Sequence, residues 1–246
     1  MINVLYIIRK EIIILKPSRI KETVLMKAQP WNYIAFFDLD KTVISLNSGS
    51  LLVRQAYKNG LLNTGDLLNA IFQSYLYKFN LRDTNLIISK MGTWLKGLKY
   101  EVIEELSDVV VDKYLIGSIR PEIIKEMHHH KENNAATVIL SSAILSICEP
   151  IGRYLEVDDI ICTTMETSEG ILTGNPVDNF CFEDEKRIRL LSYCEKNMCD
   201  PLKAWYYADS IADLSVLQVV GNPVCVSPDK KLGRIASDRG WRIYNW

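Results

Sequence analysis

The chain has 246 residues, 48% of them hydrophobic, enough to bury one large core or a core carrying an inserted module. A formal net charge of -1 supplies no basic field for a nucleic-acid partner. Six cysteines lie in the second half without a Cys-x-x-Cys pair, which reads as reduced core residues of a cytoplasmic protein.

The N-terminal stretch VLYIIRKEIIILK is apolar but interrupted by Arg9, Lys10 and Glu11, so it is too short and too charged to span a membrane. It also lacks the small-residue cleavage site of a signal peptide. A surface-lying amphipathic anchor and an extension ahead of a start at Met26 are the two readings, and the second is preferred. A membrane partner is not expected. Organised patterning begins at WNYIAFFDLD, so residues 1–30 are taken as an N-terminal extension.

The segment IAFFDLDKTVIS, residues 34–45, drives an apolar strand into Asp38 and Asp40. Extended backbone sends alternate side chains to one side, so both carboxylates would face whatever lies beyond the strand end. Like charges so close need a metal or basic group between them, or else they splay into water. Thr42 follows two residues after Asp40; its hydroxyl either contacts a bound ligand or bonds its own turn.

From residue 46 to 126 the spacing turns helical, at Leu51, Leu52 and Ala56, then at Leu67, Leu68, Ile71, Phe72 and Tyr75. Pro121 fits the start of a helix over RPEIIKEMHHH. His128, His129 and His130 have no cysteine or further histidine nearby. They read as a solvated helix end rather than a metal patch.

Strands return at TVILSS, DIICTT, AWYYADS, NPVCVSP and WRIYNW, with a hairpin around Glu169-Gly170 in METSEGILTG. Helical stretches at 145–153, 184–198 and 211–219 alternate with them. This pattern predicts an α/β fold, a parallel sheet covered on both faces. Residues 31–46 and 127–246 would form the core, and residues 47–126 an inserted α-helical cap. Ligands of open parallel sheets bind beyond the carboxyl ends of the strands. Asp38, Asp40, Ser141, Ser142, Asp209 and Ser210 therefore become neighbours, and such a hard-oxygen cluster suits Mg²⁺.

FFDLDKT, VILSS, the lysine of FEDEKRIRLL and YYADSIADLSVL resemble the four motifs of the haloacid dehalogenase-like hydrolases. The helical block between the first two motifs is similar to the phosphoserine phosphatase-like branch. The tail VGNPVCVSPDKKLGRIASDRGWRI resembles a bacterial hydrolase group, IB, within it. The resemblance implies a Rossmann-like core and a Mg²⁺-dependent phosphatase acting on a small phosphorylated substrate through an aspartyl-phosphate.

By that resemblance Asp38 is the nucleophile, Asp40 the general acid/base and Lys186 the cation that neutralises the nucleophile and the transferring group. Ser141 is the second-motif hydroxyl, with Ser142 its neighbouring rival, and Arg187 is the rival of Lys186. Asp209 and Asp213 join Asp38 and the backbone carbonyl of Asp40 around the metal. Phosphoserine-specific members carry a glutamate where this chain has Asn47, so phosphoserine is not the expected substrate. Asn47 either lines the pocket or caps a helix. A phosphotransferase using the same intermediate and a non-catalytic phospholigand-binding module are the alternative readings.

Overall fold

The computed structural model describes residues 31–68 and 92–246, and Trp31–Trp246 form one compact unit. The expectations for residues 1–30, and for Ile71, Phe72 and Tyr75, lie outside the described residues. The described strands are β1 (Ile34–Phe37), β2 (Ala136–Ile144), β3 (Asp159–Thr163), β4 (Met165–Ser168), β5 (Ile171–Pro176), β6 (Trp205–Ala208), β7 (Asn222–Val226) and β8 (Arg242–Tyr244). Six of them form a parallel sheet in the order β3-β2-β1-β6-β7-β8.

All four residues of β1 are buried, as expected of a central strand covered on both faces. Side-chain alternation divides the sheet's contribution between two cores. Ala35 and Phe37 join Ile139, Tyr207 and Val224 on one side. Ile34 and Phe36 join Val138, Leu140, Tyr206 and Cys225 on the other.

The described helices are α1 (Ser48–Lys58), α2 (Tyr100–Val110), α3 (Pro121–Glu132), α4 (Leu145–Tyr154), α5 (Asp184–Lys196), the short α6 (Leu214–Leu217) and α7 (Lys230–Asp238). Among them none is long and apolar enough to cross a membrane. Helix α2 packs between α1 and α4, and a buried bond between the Ser107 and Ser146 hydroxyls joins α2 to α4 at 2.9 Å. The chain leaves and re-enters the sheet region through paired segments. Ser45 N–H donates to the Ser118 carbonyl and Arg120 N–H to that of Val43, each at 2.9 Å, beside an Ile44–Ile119 bridge. The boundary expected at 126/127 falls inside the continuous helix α3.

The hairpin forms as expected, with Ser168 opposite Ile171 and a two-residue turn at Glu169 (φ 51°) and Gly170 (φ 78°). Both residues are left-handed, the geometry that matches strand twist in a tight hairpin and that glycine adopts freely. All six cysteines are buried and unpaired. Two expectations need correction. Strand β2 does not end at the serines but runs on to Ile144, with a register shift against β3 after Leu140.

His130 is the second. It is not solvated but 1% exposed, because positions 123, 127 and 130 share one face of α3 and Ile123 and Met127 anchor that face in the core. His128 and His129 remain exposed. The Tyr207 hydroxyl donates its proton to Glu126 Oε2 at 2.7 Å, so it accepts from His130 Nε2–H at 2.9 Å. Nδ1 then accepts from the Tyr33 hydroxyl at 2.9 Å, which fixes a neutral imidazole. Burial, followed by the neighbouring His129, lowers the His130 pKa to about 4.

Candidate active site

Parallel register determines which residues meet. Phe37 lies level with Ile139 of β2 and Tyr207 of β6, so the residues following each emerge at the same end of the sheet. Asp38 leaves β1 there, its N–H bonded to the Tyr207 carbonyl at 2.9 Å. Asp209 follows β6 by one residue, and Asp213 lies just before α6. Ligand oxygens of Asp38, Asp209 and Asp213 all lie within 4.8 Å of one another, and all three residues are buried.

The loop after Asp38 turns through Lys41, whose φ of 62° is left-handed, a conformation that costs a non-glycine residue about 1 kcal/mol. Two bonds hold it there. Lys41 N–H donates to the Leu46 carbonyl at 3.1 Å, and the Lys41 carbonyl accepts from Arg120 Nη2 at 3.1 Å.

Asp40 contributes no carboxylate oxygen to the acidic cluster. Instead its Oδ1 accepts from Ser48 N–H and its Oδ2 from the Asn47 amide, both at 2.9 Å, at the amino end of α1. Burial raises the Asp40 pKa, eased by the Ser48 N–H. Asn47 combines two roles, because its own oxygen caps α1 by accepting from Ser50 N–H at 2.9 Å. Thr42 is fully buried, and its hydroxyl finds no partner among the described residues; the bond to its own turn does not form.

Lys186, at the start of α5, reaches the cluster. Its ammonium donates to Asp38 Oδ1 and Asp213 Oδ1, both at 2.7 Å, and to the Tyr206 hydroxyl at 3.3 Å. Arg187 points outward to a surface pair with Asp184. Ser141 is buried and its oxygen accepts from Ala143 N–H at 3.1 Å, which leaves its proton to donate, whereas Ser142 is exposed.

Three carboxylates thus face one ammonium in a buried space. Burial raises the Asp38 pKa; Lys186 lowers it, and Asp213 and Asp209 raise it further. Burial and then Asp213 push Asp209 up to about 7. Burial works against the Lys186 charge, but Asp213 and Asp38 outweigh it and hold its pKa well above the usual range. Clustered hard oxygens short of positive charge fit a small divalent cation. A single Mg²⁺ with bonds of about 2.1 Å spans oxygens up to about 4.2 Å apart, so carboxylate oxygens within 4.8 Å of one another need at most a small inward shift to share one ion.

Two further residues support the site. Tyr206 is 0% exposed and donates its proton to Asp213 Oδ1 at 2.5 Å; burial and then Asp213 raise its pKa well above the usual range. The apolar look of AWYYA concealed this hydroxyl. Asp229 N–H donates to the Asp209 carbonyl at 2.8 Å, while its Oδ2 accepts from Ile211 N–H at 2.7 Å. Asp229 Oδ1 also caps α7 through Lys231 N–H and Leu232 N–H. An aspartate directly before a helical KKLGRI run signals a cap, but not the loop it secures.

A family model described as haloacid dehalogenase-like hydrolase matches residues 35–218. A protein of Mycobacterium tuberculosis named as a probable phosphatase is 30% identical over 221 residues, covering 86% of this chain and 75% of its own. A histidinol-phosphatase of Neisseria meningitidis serogroup C is 27% identical over 218 residues, covering 87% of this chain and 98% of its own. A substrate-bound phosphoserine phosphatase complex has the same fold, with a TM-score of 0.66 at 15% identity over 86% of this chain and 92% of that one. The chain belongs to the haloacid dehalogenase-like hydrolase family.

Proposed function

We propose that the protein is a Mg²⁺-dependent phosphatase that hydrolyses a small phosphomonoester through an aspartyl-phosphate on Asp38. The observation that carries this reading is the buried Asp38 carboxylate, held by Lys186 at 2.7 Å and clustered with Asp209 and Asp213. Pure binding of a phosphate would favour donors around it, not a group of acids.

In the first step an Asp38 carboxylate oxygen attacks phosphorus and the bond to the ester oxygen breaks. Asp40 gives its proton to the departing alkoxide. In the second step Asp40, now ionised, takes a proton from water as the water oxygen attacks phosphorus, freeing Asp38 and inorganic phosphate. A carboxyl whose pKa is raised by burial suits a group that must carry a proton before it acts. Lys186 offsets the negative charge on Asp38 and the transferring group, and the free Ser141 proton is available to a phosphoryl oxygen. Mg²⁺, held by Asp38, Asp209, Asp213 and the Asp40 backbone carbonyl, would supply electrophilic stabilisation of the phosphoryl oxygens.

Residues 47–126 act as the cap that selects the substrate, and unpaired buried cysteines fit a reducing cytoplasm. The phosphatase relatives support a small phosphorylated metabolite, and Asn47 in place of an acid argues against phosphoserine. The test is turnover of p-nitrophenyl phosphate with Mg²⁺ and with EDTA. Mg²⁺-dependent release of phosphate, with no phosphorylated product when an acceptor alcohol is added, is expected. Equal rates in EDTA would remove the metal from the mechanism.

A further inference from the structure

The ammonium of Lys186 has three protons and meets three acceptors: Asp38 Oδ1, Asp213 Oδ1 and the Tyr206 hydroxyl. The phenol has one proton, and it goes to Asp213 Oδ1. Asp213 therefore receives two donors on the same oxygen, and Oδ2 is the oxygen these donors leave alone. Tyr206 is one of the largest fully buried side chains, on the α5 side of β6. Packing alone does not call for its hydroxyl, since phenylalanine would fill nearly the same volume without bringing a polar atom inside.

We propose that Tyr206 is a positioning residue of the metal centre: its hydroxyl fixes which oxygen of Asp213 goes to Lys186 and which remains for the cation. The inference rests on the metal-dependent reading above. Lysine and a divalent ion compete for the same carboxylates. A phenol that occupies one ammonium proton and loads Asp213 Oδ1 keeps that proton from Asp213 Oδ2. Removing it frees the ammonium proton to turn to Oδ2 at the expense of the ion.

The experiment compares wild type with Tyr206→Phe, reading both the Mg²⁺ concentration for half-maximal turnover and that for half of the Mg²⁺-induced rise in melting temperature. Both midpoints should rise about tenfold, the low end of the loss seen when a hydrogen-bonded partner of a metal ligand is removed. Turnover at saturating Mg²⁺ should stay within about threefold, as expected of a group that acts on ligand orientation. In an Asp213→Asn background, Tyr206→Phe should shift the midpoints no further, because the phenol acts through Asp213. A lower melting temperature with unchanged Mg²⁺ midpoints would show a packing role and overturn the proposal. So would a full additional shift in the Asp213→Asn background. If wild type itself does not respond to Mg²⁺ in the melt, the metal reading fails and this inference falls with it.

Discussion

Lys186 Nζ lies 2.7 Å from Asp38 Oδ1, although 148 positions separate the two residues along the chain. Both are buried, and Asp38 also faces Asp209 and Asp213. Asp38→Asn should reduce phosphatase turnover at least ~10³-fold, the scale of losing a nucleophile. In EDTA the same variant should melt no lower than wild type, because one of three mutually repelling carboxylates is gone while an acceptor oxygen still faces Lys186. Melting curves beside initial rates check the two halves together.

Asp209 gives the metal-free protein a pH dependence of known sign. Its folded pKa of about 7 lies above the ordinary carboxylate value, so the folded state binds more protons than the unfolded one between those limits. Its contribution in EDTA is full below about pH 4 and is lost as pH rises through 7. Added Mg²⁺ takes the place of that proton. The Mg²⁺-induced rise in melting temperature should therefore be larger at pH 8 than at pH 5.5, and an equal rise at both would contradict it.

Asp229 meets Asp209 through the backbone, its N–H on the Asp209 carbonyl, while its one carboxylate holds Ile211 N–H and caps α7. Asp229→Ala should cost about 1–2 kcal/mol through the lost cap. It should also raise the Mg²⁺ requirement, since the loop between Asp209 and Asp213 loses its side-chain tether at Ile211 and keeps only the backbone bond to Asp209. Asp229→Asn retains an oxygen for the cap and should recover most of the stability in a denaturant titration.

Asn47→Ala removes the cap of α1 and the amide donor to Asp40 Oδ2. A stability loss of about 1 kcal/mol is expected. Hydrolysis of an alkyl phosphate should slow more than that of p-nitrophenyl phosphate, whose leaving group needs little proton donation. Equal slowing of both substrates would separate Asn47 from the acid role proposed for Asp40.

His130 acts on the acid side. Its folded pKa of about 4 is below the unfolded value, so its contribution is complete above about pH 6.5 and is lost as pH falls to 4. His130→Gln removes this dependence. Between pH 7 and pH 4 the wild type should lose up to about 3 kcal/mol more than the variant, measured by urea unfolding at each pH.

Strand and helix periodicity made the sheet, the hairpin at Glu169-Gly170 and the meeting of strand ends readable, because each depends on local spacing and a general rule of parallel sheets. His130 was misread because three consecutive histidines look polar. Its burial follows from Met127 and Ile123, one and two turns earlier. Tyr206 and Asp229 were invisible for another reason. Periodicity reports which side of a strand is covered, or where a helix begins, but not which atom waits at the tip of a buried side chain. Extension of β2 to Ile144 depended on β3 alongside it, a partner the local sequence does not name.

The pairing of residues 43–45 with 118–120 has an evolutionary consequence. Where a detour begins and ends side by side, the entropy of closing it grows only slowly with its length. Beyond Leu46, Asn47 and Ser48, which hold Lys41 and Asp40, the segment between can be lengthened, shortened or swapped for a foreign one while the acid-bearing turn keeps its footing. With the cap selecting the substrate, as proposed above, new preferences would arise by changing the detour while the reaction chemistry is inherited intact.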